Sequence, residues 1–454
     1  MKLILNNFNI NSLNKILKSI TRKSQKRVDL EINDLGGLPF FKDIMPAIYD
    51  FLDLEPFFGI WLKDFPYCAV EENCRDHVRN SEKKMGEKTE KCQLCRYFKK
   101  CAGFPRGYFK KYGKEEVIPI LDLPKEIMIE VEPRCNFNCV FCFNKVSFAK
   151  EQKKIKPFTT KDVKKIIDKV FTSGVKIFRF TGGEPLLRKD FFELAFYAKN
   201  KNLEVRLNTN GSLITPKVAK KLKGLVDNVL IPIDSCSNEI EECLNNFKNS
   251  LNKKIRAIVL LKKYGIPLVR VGTVASRENI EKLEKISEIV LSSPADEWEI
   301  YRQISINKNT EKIKSCDIKL LVDKIYRIRD KTGKNISLAN SLPFCSIKEV
   351  SKISFISSGS LFDDGRNRLV IDPRGFIKPH YFLEVNLGQQ FDILSAWQNC
   401  FLKKIRSLDF LPVNCQKCPF VFKCGGGSRY EAKLAFGDYF APDPLANFKN
   451  IKDW

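Results

Sequence analysis

Histidine, methionine and tryptophan are scarce in this sequence of 454 residues, which contains two, four and four of them respectively. Since His77 and His380 are the only imidazoles, a metal site built mainly on histidine ligands is excluded. The sequence also lacks an apolar run of the roughly 20 residues that a membrane-spanning helix needs. Any chemistry at a metal must therefore rely on other side chains.

Acidic residues are few relative to basic ones. There are 54 Asp and Glu against 79 Lys and Arg, which gives a formal net charge of +25. Such a balance favours a nucleic acid, an anionic surface or an acidic protein as partner. The lysines are nevertheless spread along the chain rather than gathered into runs, so nucleic-acid binding is an alternative here and not the leading interpretation.

No acidic residue precedes Asp29, whereas seven basic residues lie between Lys2 and Arg27. The interspersed apolar residues predict a basic amphipathic helix within an N-terminal segment of residues 1–45. This segment lacks the compact apolar core and the small-residue cleavage site of a secretory signal. We expect a docking helix, with organelle targeting or binding to a membrane surface as the alternative.

Cysteine, by contrast, is abundant, with sixteen residues. In the absence of a secretory signal, the short spacings between many of them indicate metal ligands rather than disulfides. We therefore expect a reducing, low-oxygen cytoplasm as the compartment. The three groups are Cys68, Cys74, Cys92, Cys95 and Cys101; Cys135, Cys139 and Cys142; and Cys415, Cys418 and Cys424.

Between residues 121 and 310, strand-like and helix-like segments alternate about six times. Parallel strands need such crossovers, and six units predict an incomplete (β/α)6 barrel with its functional groups at the C-terminal strand ends. Single helices are predicted over residues 239–264, 277–291 and 393–408, and a hairpin over residues 370–380. The predicted organisation is a basic helical segment (1–45), a Cys-rich N-terminal module (46–120), the barrel (121–310), a linker (311–344) and a Cys-rich C-terminal domain (345–454).

A short internal repeat flanks the barrel. The stretch KCQLCRYFKKCAGFPRG, from Lys91, aligns without gaps on NCQKCPFVFKCGGGSRY, from Asn414. Both contain C-Q-x-C-x5-C, with a Lys before the last Cys, a Gly two residues after it and an Arg five residues after it. The repetition predicts that the two copies share a metal-binding role.

In the N-terminal group there is one cysteine more than a four-ligand site requires. The leading interpretation is an iron–sulfur cluster, and structural zinc is the alternative because four-cysteine zinc sites use similar spacings. Cys68 in place of Cys74 is nearly as good a choice of ligand. The favoured ligand set is Cys74, Cys92, Cys95 and Cys101.

The stretch CNFNCVFC, residues 135–142, holds Cys135, Cys139 and Cys142 at C-x3-C-x2-C spacing. A [4Fe–4S] cluster normally takes four thiolates. Three of them leave one iron open, as catalytic metals often do for a substrate or a chelating molecule.

Nearby residues suit the binding of such a molecule. Gly182 and Gly183 have no side chains, so the backbone can approach a ligand closely. Glu184 offers a carboxylate to an ammonium group. Phe141, within the cysteine loop, is placed to cover a heterocycle.

Together these residues resemble the radical S-adenosylmethionine (SAM) superfamily. CNFNCVFC matches its cysteine signature, GGEP its SAM-amino motif, and Asn210 and Asp234 the ends of its third and fourth strands, over roughly residues 124–306. Pro232 stands where many relatives have a Ser near SAM. The resemblance implies that SAM chelates the open iron, that the reduced cluster cleaves it, and that a 5′-deoxyadenosyl radical abstracts hydrogen from a substrate.

The C-terminal part resembles the SPASM/twitch extension of the same superfamily, in the hairpin VIDPRGFIKPH and the C-x2-C-x5-C group. His380 and Ser428 stand where that extension usually has Cys, so one auxiliary cluster is expected there rather than two. The ligands that the resemblance implies are Cys415, Cys418 and Cys424, with Cys345, His380 or a non-protein group as the fourth.

As function, the resemblance implies a radical SAM enzyme that modifies a peptide or protein side chain and receives electrons from a low-potential donor such as ferredoxin or flavodoxin. One alternative is a radical SAM enzyme acting on tRNA or a small cofactor precursor, which the basic charge favours. Another is a non-catalytic iron–sulfur scaffold or electron carrier, which the intact SAM motif disfavours.

Overall fold

The computed structural model describes residues 2–5, 28–32, 40–54, 60–80, 86–143, 155–305, 312–360 and 365–451. The chain divides into two compact units, Met1–Asp122 and Leu123–Trp454. None of the described helices is both long and apolar enough to cross a membrane.

A four-stranded parallel sheet underlies the first unit. Aromatic side chains form much of its core: the ring of Phe41 lies 5.2–5.6 Å from those of Phe65, Phe104 and Tyr108. The strands are β1 (Lys2–Leu5), β2 (Val28–Ile32), β3 (Ile60–Lys63) and β4 (Val78–Arg79), paired in that order, and the helices are α1 (Phe41–Leu54) and α2 (Tyr108–Tyr112).

The N-terminal helix predicted within residues 1–45 does not begin as expected, because Lys2–Leu5 is a strand paired with β2. Residues 6–27, where most of the predicted helix falls, lie outside the described residues.

The second unit contains a ten-stranded sheet in the order β11-β10-β9-β8-β7-β6-β5-β12-β13-β14. It is parallel from β11 to β12, and β13 and β14 are antiparallel. The sheet does not close on itself, which confirms the predicted partial α/β barrel. The strands are β5 (Glu126–Glu132), β6 (Ile177–Gly182), β7 (Glu204–Asn208), β8 (Asn228–Pro232), β9 (Leu268–Ala275), β10 (Glu297–Arg302), β11 (Ile336–Leu338), β12 (Arg368–Ile371), β13 (Phe376–Lys378) and β14 (Gly388–Gln389).

Helices cover one face of this sheet and then continue into the C-terminal part of the chain. They are α3 (Thr160–Thr172), α4 (Phe191–Asn200), α5 (Pro216–Leu222), α6 (Asn238–Asn245), α7 (Ser250–Lys263), α8 (Arg277–Ile280), α9 (Leu283–Ser292), α10 (Ser315–Thr332), α11 (Val350–Ile356), α12 (Ile393–Trp397), α13 (Cys400–Ser407), α14 (Val413–Gln416), α15 (Val421–Cys424) and α16 (Arg429–Phe436).

Two of the helices predicted within the barrel are in fact pairs. The helix predicted over residues 239–264 is wrong because Asn246 and Asn249 adopt the left-handed conformation, with φ of 53° and 56°, and separate α6 from α7. Asn tolerates this conformation better than most residues. The helix predicted over residues 277–291 is likewise divided into α8 and α9.

The C-terminal half also differs in part from expectation. The helix predicted over residues 393–408 breaks into α12 and α13, because the side chain of Asn399 accepts the N–H of Phe401 (2.9 Å) and begins a new helix. Residues 311–344, expected to be a linker, contain α10 and β11. The predicted hairpin is present as β12 and β13.

Alternation along β5 separates two environments. Ile127, Ile129 and Val131 pack in the apolar core beneath the helices, whereas Glu126 and Glu130 point to the opposite face, called here the barrel interior. Both faces are buried, as is usual for parallel sheets.

Charged pairs fill the lower part of the barrel interior. Glu126 pairs with Arg179, and Arg368 lies 3.6 Å from it. Although burial opposes ionisation, these guanidinium groups lower the pKa of Glu126 to about 2. Arg270 pairs with Glu299 at 2.5 Å. These charged pairs fill the interior below the carboxyl ends of the strands, and the site is formed at those ends.

Candidate active site and cysteine groups

The cysteine loop follows β5 directly and is anchored on α6. The backbone N–H groups of Asn138 and Val140 donate to the carbonyls of Asn245 and Leu244, both at 2.9 Å. These carbonyls belong to the last turn of α6, where backbone acceptors have no partner within the helix. The loop therefore completes a helix end while presenting its thiols.

Cys135, Cys139 and Cys142 are brought together by this loop. Burial, together with the neighbouring thiol of Cys142, raises the pKa of Cys139 to about 12. Cys135 accepts the N–H of Phe137 at 3.4 Å. Cysteine binds a metal as the thiolate, so a metal that binds here must displace these protons. Three thiols on one short loop are a donor set that fits a metal cluster.

At Gly182 and Gly183 the missing side chains allow another segment of the same chain, rather than a ligand, to approach the backbone closely. A Cβ on Gly183 would lie 2.1 Å from the carbonyl oxygen of Arg134. The N–H of Gly183 donates to Glu132 (2.7 Å) and that of Glu184 to Arg134 (2.8 Å). The GGEP segment therefore lies against the chain that enters the cysteine loop.

The Glu184 side chain is fully buried and connects two strand ends. Its oxygens accept hydrogen bonds from the N–H of Leu186 (3.0 Å), the hydroxyl of Thr209 (2.8 Å) and the N–H of Asn210 (2.8 Å). Burial raises its pKa to about 7 despite these donors. The carboxyl predicted to meet an ammonium group is thus already engaged in holding the loop after β7.

Asn210 reaches from this loop to the cysteines. Its Nδ2 donates to Oδ1 of Asn136 (2.9 Å) and lies 3.8 Å from the sulfur of Cys135. Nδ2 of Asn136 donates to the hydroxyl of Ser212 (2.9 Å). Sequence reasoning missed Asn136 and Ser212, since nothing in the spacing pairs a residue inside CNFNCVFC with a turn 76 residues later.

Asp234, at the end of β8, is almost fully buried and accepts the N–H of Val274 through Oδ1 (2.7 Å). Burial, and then the nearby Glu241, raises its pKa to about 7. Glu241 forms an ion pair with Lys254, also buried, which sequence reasoning did not identify. Phe141 is partly exposed in the cysteine loop.

Four N-terminal cysteines line one small cavity: Cys68, Cys92, Cys95 and Cys101. Burial, together with Cys101, raises the pKa of Cys68 to about 12. Cys74, which the sequence favoured, is instead part of the apolar core beneath the aromatic cluster. The cavity thus contains Cys68, the alternative ligand named above, and does not contain Cys74.

In the C-terminal part, Cys345 joins the three cysteines of the second repeat copy. Burial, together with Cys424, Cys345 and Cys418, raises the pKa of Cys415 to about 12. Cys345, one of the candidates for the fourth ligand, belongs to a short 3-10 helix more than 65 residues earlier, and no spacing rule distinguished it from His380. The ring of His380 lies beside that of Phe382, tilted by 32° with the centroids 5.8 Å apart.

The internal repeat has a structural counterpart around its last cysteine. The N–H of Gly103 donates to the sulfur of Cys101 (3.4 Å), and that of Gly426 lowers the pKa of Cys424 in the same way, against the effect of burial. The repeated Arg differs: Arg429 is buried on backbone carbonyls, whereas its counterpart at position 106 is exposed.

Ser428, one of the departures from the expected cysteine pattern, caps α16 by accepting the N–H of Glu431 through its hydroxyl (3.3 Å). None of the sixteen cysteines, all within the described parts of the chain, forms a disulfide. Within those parts, no three His, Cys, Asp or Glu side chains converge closely enough to hold a single metal ion.

The sequence was compared with protein families and with individual known proteins. Residues 129–290 match the family described as the Radical SAM superfamily. The chain is 25% identical over 352 residues to an AdoMet-dependent heme synthase of Methanosarcina barkeri, which covers 73% of this chain and 99% of the relative. It is 24% identical over 344 residues to a PqqA peptide cyclase of Bradyrhizobium diazoefficiens, covering 71% and 86%.

Two solved structures share the fold. SuiB of Streptococcus suis bound to the precursor peptide SuiA superposes with a TM-score of 0.58 at 17% identity, covering 72% of this chain and 76% of SuiB. The protein anSMEcpe with bound AdoMet superposes with a TM-score of 0.57 at 19% identity, covering 72% of this chain and 96% of that protein.

Proposed function

We propose that this radical SAM enzyme, whose barrel carries a C-terminal cysteine-rich extension, modifies a side chain of a peptide or protein by hydrogen abstraction. The radical SAM domain at residues 129–290 confirms the predicted family and the predicted enzymatic nature of the chain. The domain implies a [4Fe–4S] cluster and S-adenosylmethionine as cofactors.

Cys135, Cys139 and Cys142 are the residues that we assign to the cluster. When bound there with SAM, the cluster supplies the reductive cleavage that yields a hydrogen-abstracting radical. We assign the binding of SAM to the surfaces formed by Gly182, Asn210 and Phe141. Glu184 and Asp234, both buried and hydrogen-bonded, hold those surfaces in place.

The observation that carries the peptide assignment is the position of the C-terminal extension beside the cysteine loop. The ring of Tyr381, which follows β13, lies 4.2 Å from that of Phe143, next to Cys142. The Tyr381 hydroxyl donates to that of Thr181 at the end of β6 (3.4 Å). A substrate entering between barrel and extension would meet both at once. SuiB bound to the precursor peptide SuiA shares the fold, and the relatives named PqqA peptide cyclases match 71% of this chain in sequence.

The second candidate substrate is a small cofactor precursor. Relatives named heme synthases also match this chain, at identities similar to those of the peptide cyclases. A tetrapyrrole bears several carboxylates and needs available cations. The barrel-facing Arg179, Arg206, Arg270 and Arg368 instead have carboxylate partners of their own. This pairing favours the peptide. The basic net charge alone keeps tRNA as a third, weaker candidate.

We further propose an auxiliary iron–sulfur cluster at each repeat copy, on Cys68, Cys92, Cys95 and Cys101, and on Cys345, Cys415, Cys418 and Cys424. Zinc would need four sulfurs at about 2.3 Å from one ion, whereas a [4Fe–4S] cube distributes its thiolates over four irons. The iron–sulfur chemistry that the radical SAM domain implies favours the cube. A low-potential donor such as ferredoxin or flavodoxin would supply the electron.

The test is an anaerobic assay of 5′-deoxyadenosine with reconstituted, dithionite-reduced protein and SAM. Product formed by wild type and by Cys400→Ala, an exposed cysteine on α13, but lost in Cys142→Ala, is the expected result. Peptides encoded near the gene, a carboxylated tetrapyrrole and bulk tRNA are then compared as stimulants of product formation. Stimulation by the tetrapyrrole alone would transfer the assignment to the second candidate, and stimulation by tRNA alone to the third.

A further inference from the structure

A buried ion pair lies beneath the cysteine loop. Lys254 on α7 and Glu241 on α6 are paired, and their side chains are only 2% and 1% exposed. The second oxygen of Glu241 accepts the N–H of Asp234 (3.1 Å), so the pair is also tied to the end of β8. An ion pair this deep is costly to bury and does not by itself add stability, so its presence calls for another reason.

The positive member of the pair lies on the side of the thiols. Nζ of Lys254 is 5.6 Å from the ring centroid of Phe137, the residue midway between Cys135 and Cys139. Glu241 instead accepts the backbone N–H of Asp234, just after β8.

The same two helices carry the loop. The carbonyls of Leu244 and Asn245 at the end of α6 accept its backbone N–H groups, and the amide of Asn245 donates to the hydroxyl of Ser250 at the start of α7 (3.1 Å). The α6–α7 pair therefore fixes both the path of the loop and the position of the charge relative to it.

We propose that Lys254, held by Glu241, is a positioning residue whose buried positive charge raises the reduction potential of the iron–sulfur cluster bound by the cysteine loop. The inference rests on the proposed cluster site. An electron added to the cluster interacts favourably with a nearby cation, and the interaction is strong where water is excluded. The charge of Lys254 therefore makes the cluster easier for an electron donor to reduce.

The experiment is a redox titration of the reconstituted full chain, followed by electron paramagnetic resonance on the signal that changes when SAM is added. The potential is expected to fall in Lys254→Met and to rise in Glu241→Gln, which removes the opposing charge. The double variant E241Q/K254M, which buries no unpaired charge and guards against misfolding, should lie between wild type and Lys254→Met. Arg256→Met, on the exposed side of the same helix, is the matched control.

Potentials in this order, with the control unchanged, would support the inference. Equal potentials in all loaded variants, or a control that shifts as far as Lys254→Met, would overturn it, and a loss of iron without an ordered shift would reduce the pair to a structural role. Because the titration does not require turnover, a loaded protein that forms no 5′-deoxyadenosine would contradict the proposed function and still decide this inference.

Discussion

The carboxyl of Glu184 accepts the backbone N–H of Asn210 at 2.8 Å, which joins the segment after β6 to the turn after β7. Asn210 in turn contacts Asn136 within the cysteine loop. Three consecutive strand ends are therefore connected through one buried carboxyl, and a change at Glu184 is transmitted to the cluster site.

Replacing Glu184 by Gln places an amide NH2 where one carboxyl oxygen accepted a hydrogen bond. A buried donor or acceptor left without a partner costs about 1–3 kcal/mol. We expect Glu184→Gln to lower the unfolding free energy by that amount and to weaken SAM binding. Denaturant unfolding and equilibrium dialysis with SAM measure the two effects, and unchanged values in both would contradict the transmission described above.

Gly183→Ala is expected to disrupt the cysteine loop, because its Cβ would overlap the carbonyl of Arg134 at 2.1 Å. Gly224→Ala is the comparison, since open space surrounds that position and only its positive φ of 75° opposes a side chain. The strain at such a position is about 1–2 kcal/mol. Iron content after reconstitution should fall in Gly183→Ala and stay at the wild-type level in Gly224→Ala.

The N-terminal group gives a prediction in which two similar substitutions differ. Cys68→Ser should remove about four irons per chain, the content of one cluster, because Cys68 lines the cavity with the other thiols. Cys74→Ser should retain the iron and lower only the stability of the core. Iron and sulfide analysis decides the matter; the opposite result would restore the assignment made from the sequence.

In the C-terminal group, Cys345→Ser is expected to lose the auxiliary cluster, whereas His380→Asn should retain it. The reason is that Cys345 is among the neighbouring thiols that raise the pKa of Cys415, while His380 packs against the ring of Phe382. Mössbauer spectra of 57Fe-reconstituted proteins separate the clusters by their intensity. Loss of the same component in His380→Asn and not in Cys345→Ser would contradict this ligand set.

Glu130 gives a pH dependence. Its side chain is fully buried, neither oxygen has a hydrogen-bond partner among the described residues, and burial raises its pKa to about 8. Between the ordinary carboxyl pKa of about 4.3 and pH 8, the unfolded chain ionises while the folded chain retains the proton. This group therefore lowers the unfolding free energy as pH rises through that window.

Glu130→Gln cannot ionise and should lose that part of the pH dependence. We expect it to gain stability relative to wild type as the pH increases from 5 to 8, by a few kcal/mol at most on the scale of about 1.4 kcal/mol for each unit of pKa difference. Chemical denaturation across this range provides the curves. Parallel curves for the two proteins would contradict the assignment to Glu130.

The sequence was sufficient for features that depend on local pattern. The strand and helix alternation located β5 to β10, and the crowded cysteines with GGEP indicated the family, because both are determined by residues close together in the chain. Three helix breaks were missed. The one between α6 and α7 was missed because a left-handed Asn246 or Asn249 costs little and leaves the apolar periodicity unchanged.

What escaped prediction depends on contacts between distant segments. The choice between Cys68 and Cys74 is decided by which side chain reaches the cavity, and their spacings to Cys92 are almost equally suitable. Lys254 lies 115 positions after Cys139 on a helix whose other lysines are solvated, so nothing in the sequence distinguished it.

The pairing of Arg368 with Glu126 places β12 beside the first barrel strand. More than 240 residues separate them, so one edge of β5 stays without its neighbour while that whole stretch is synthesised. Contacts of such long range form slowly, and an unpaired edge invites association with other chains. During that interval of synthesis the open edge of β5 is exposed to aggregation. Expression of residues 1–364 alone, which lack β12, should therefore yield aggregates rather than a smaller enzyme.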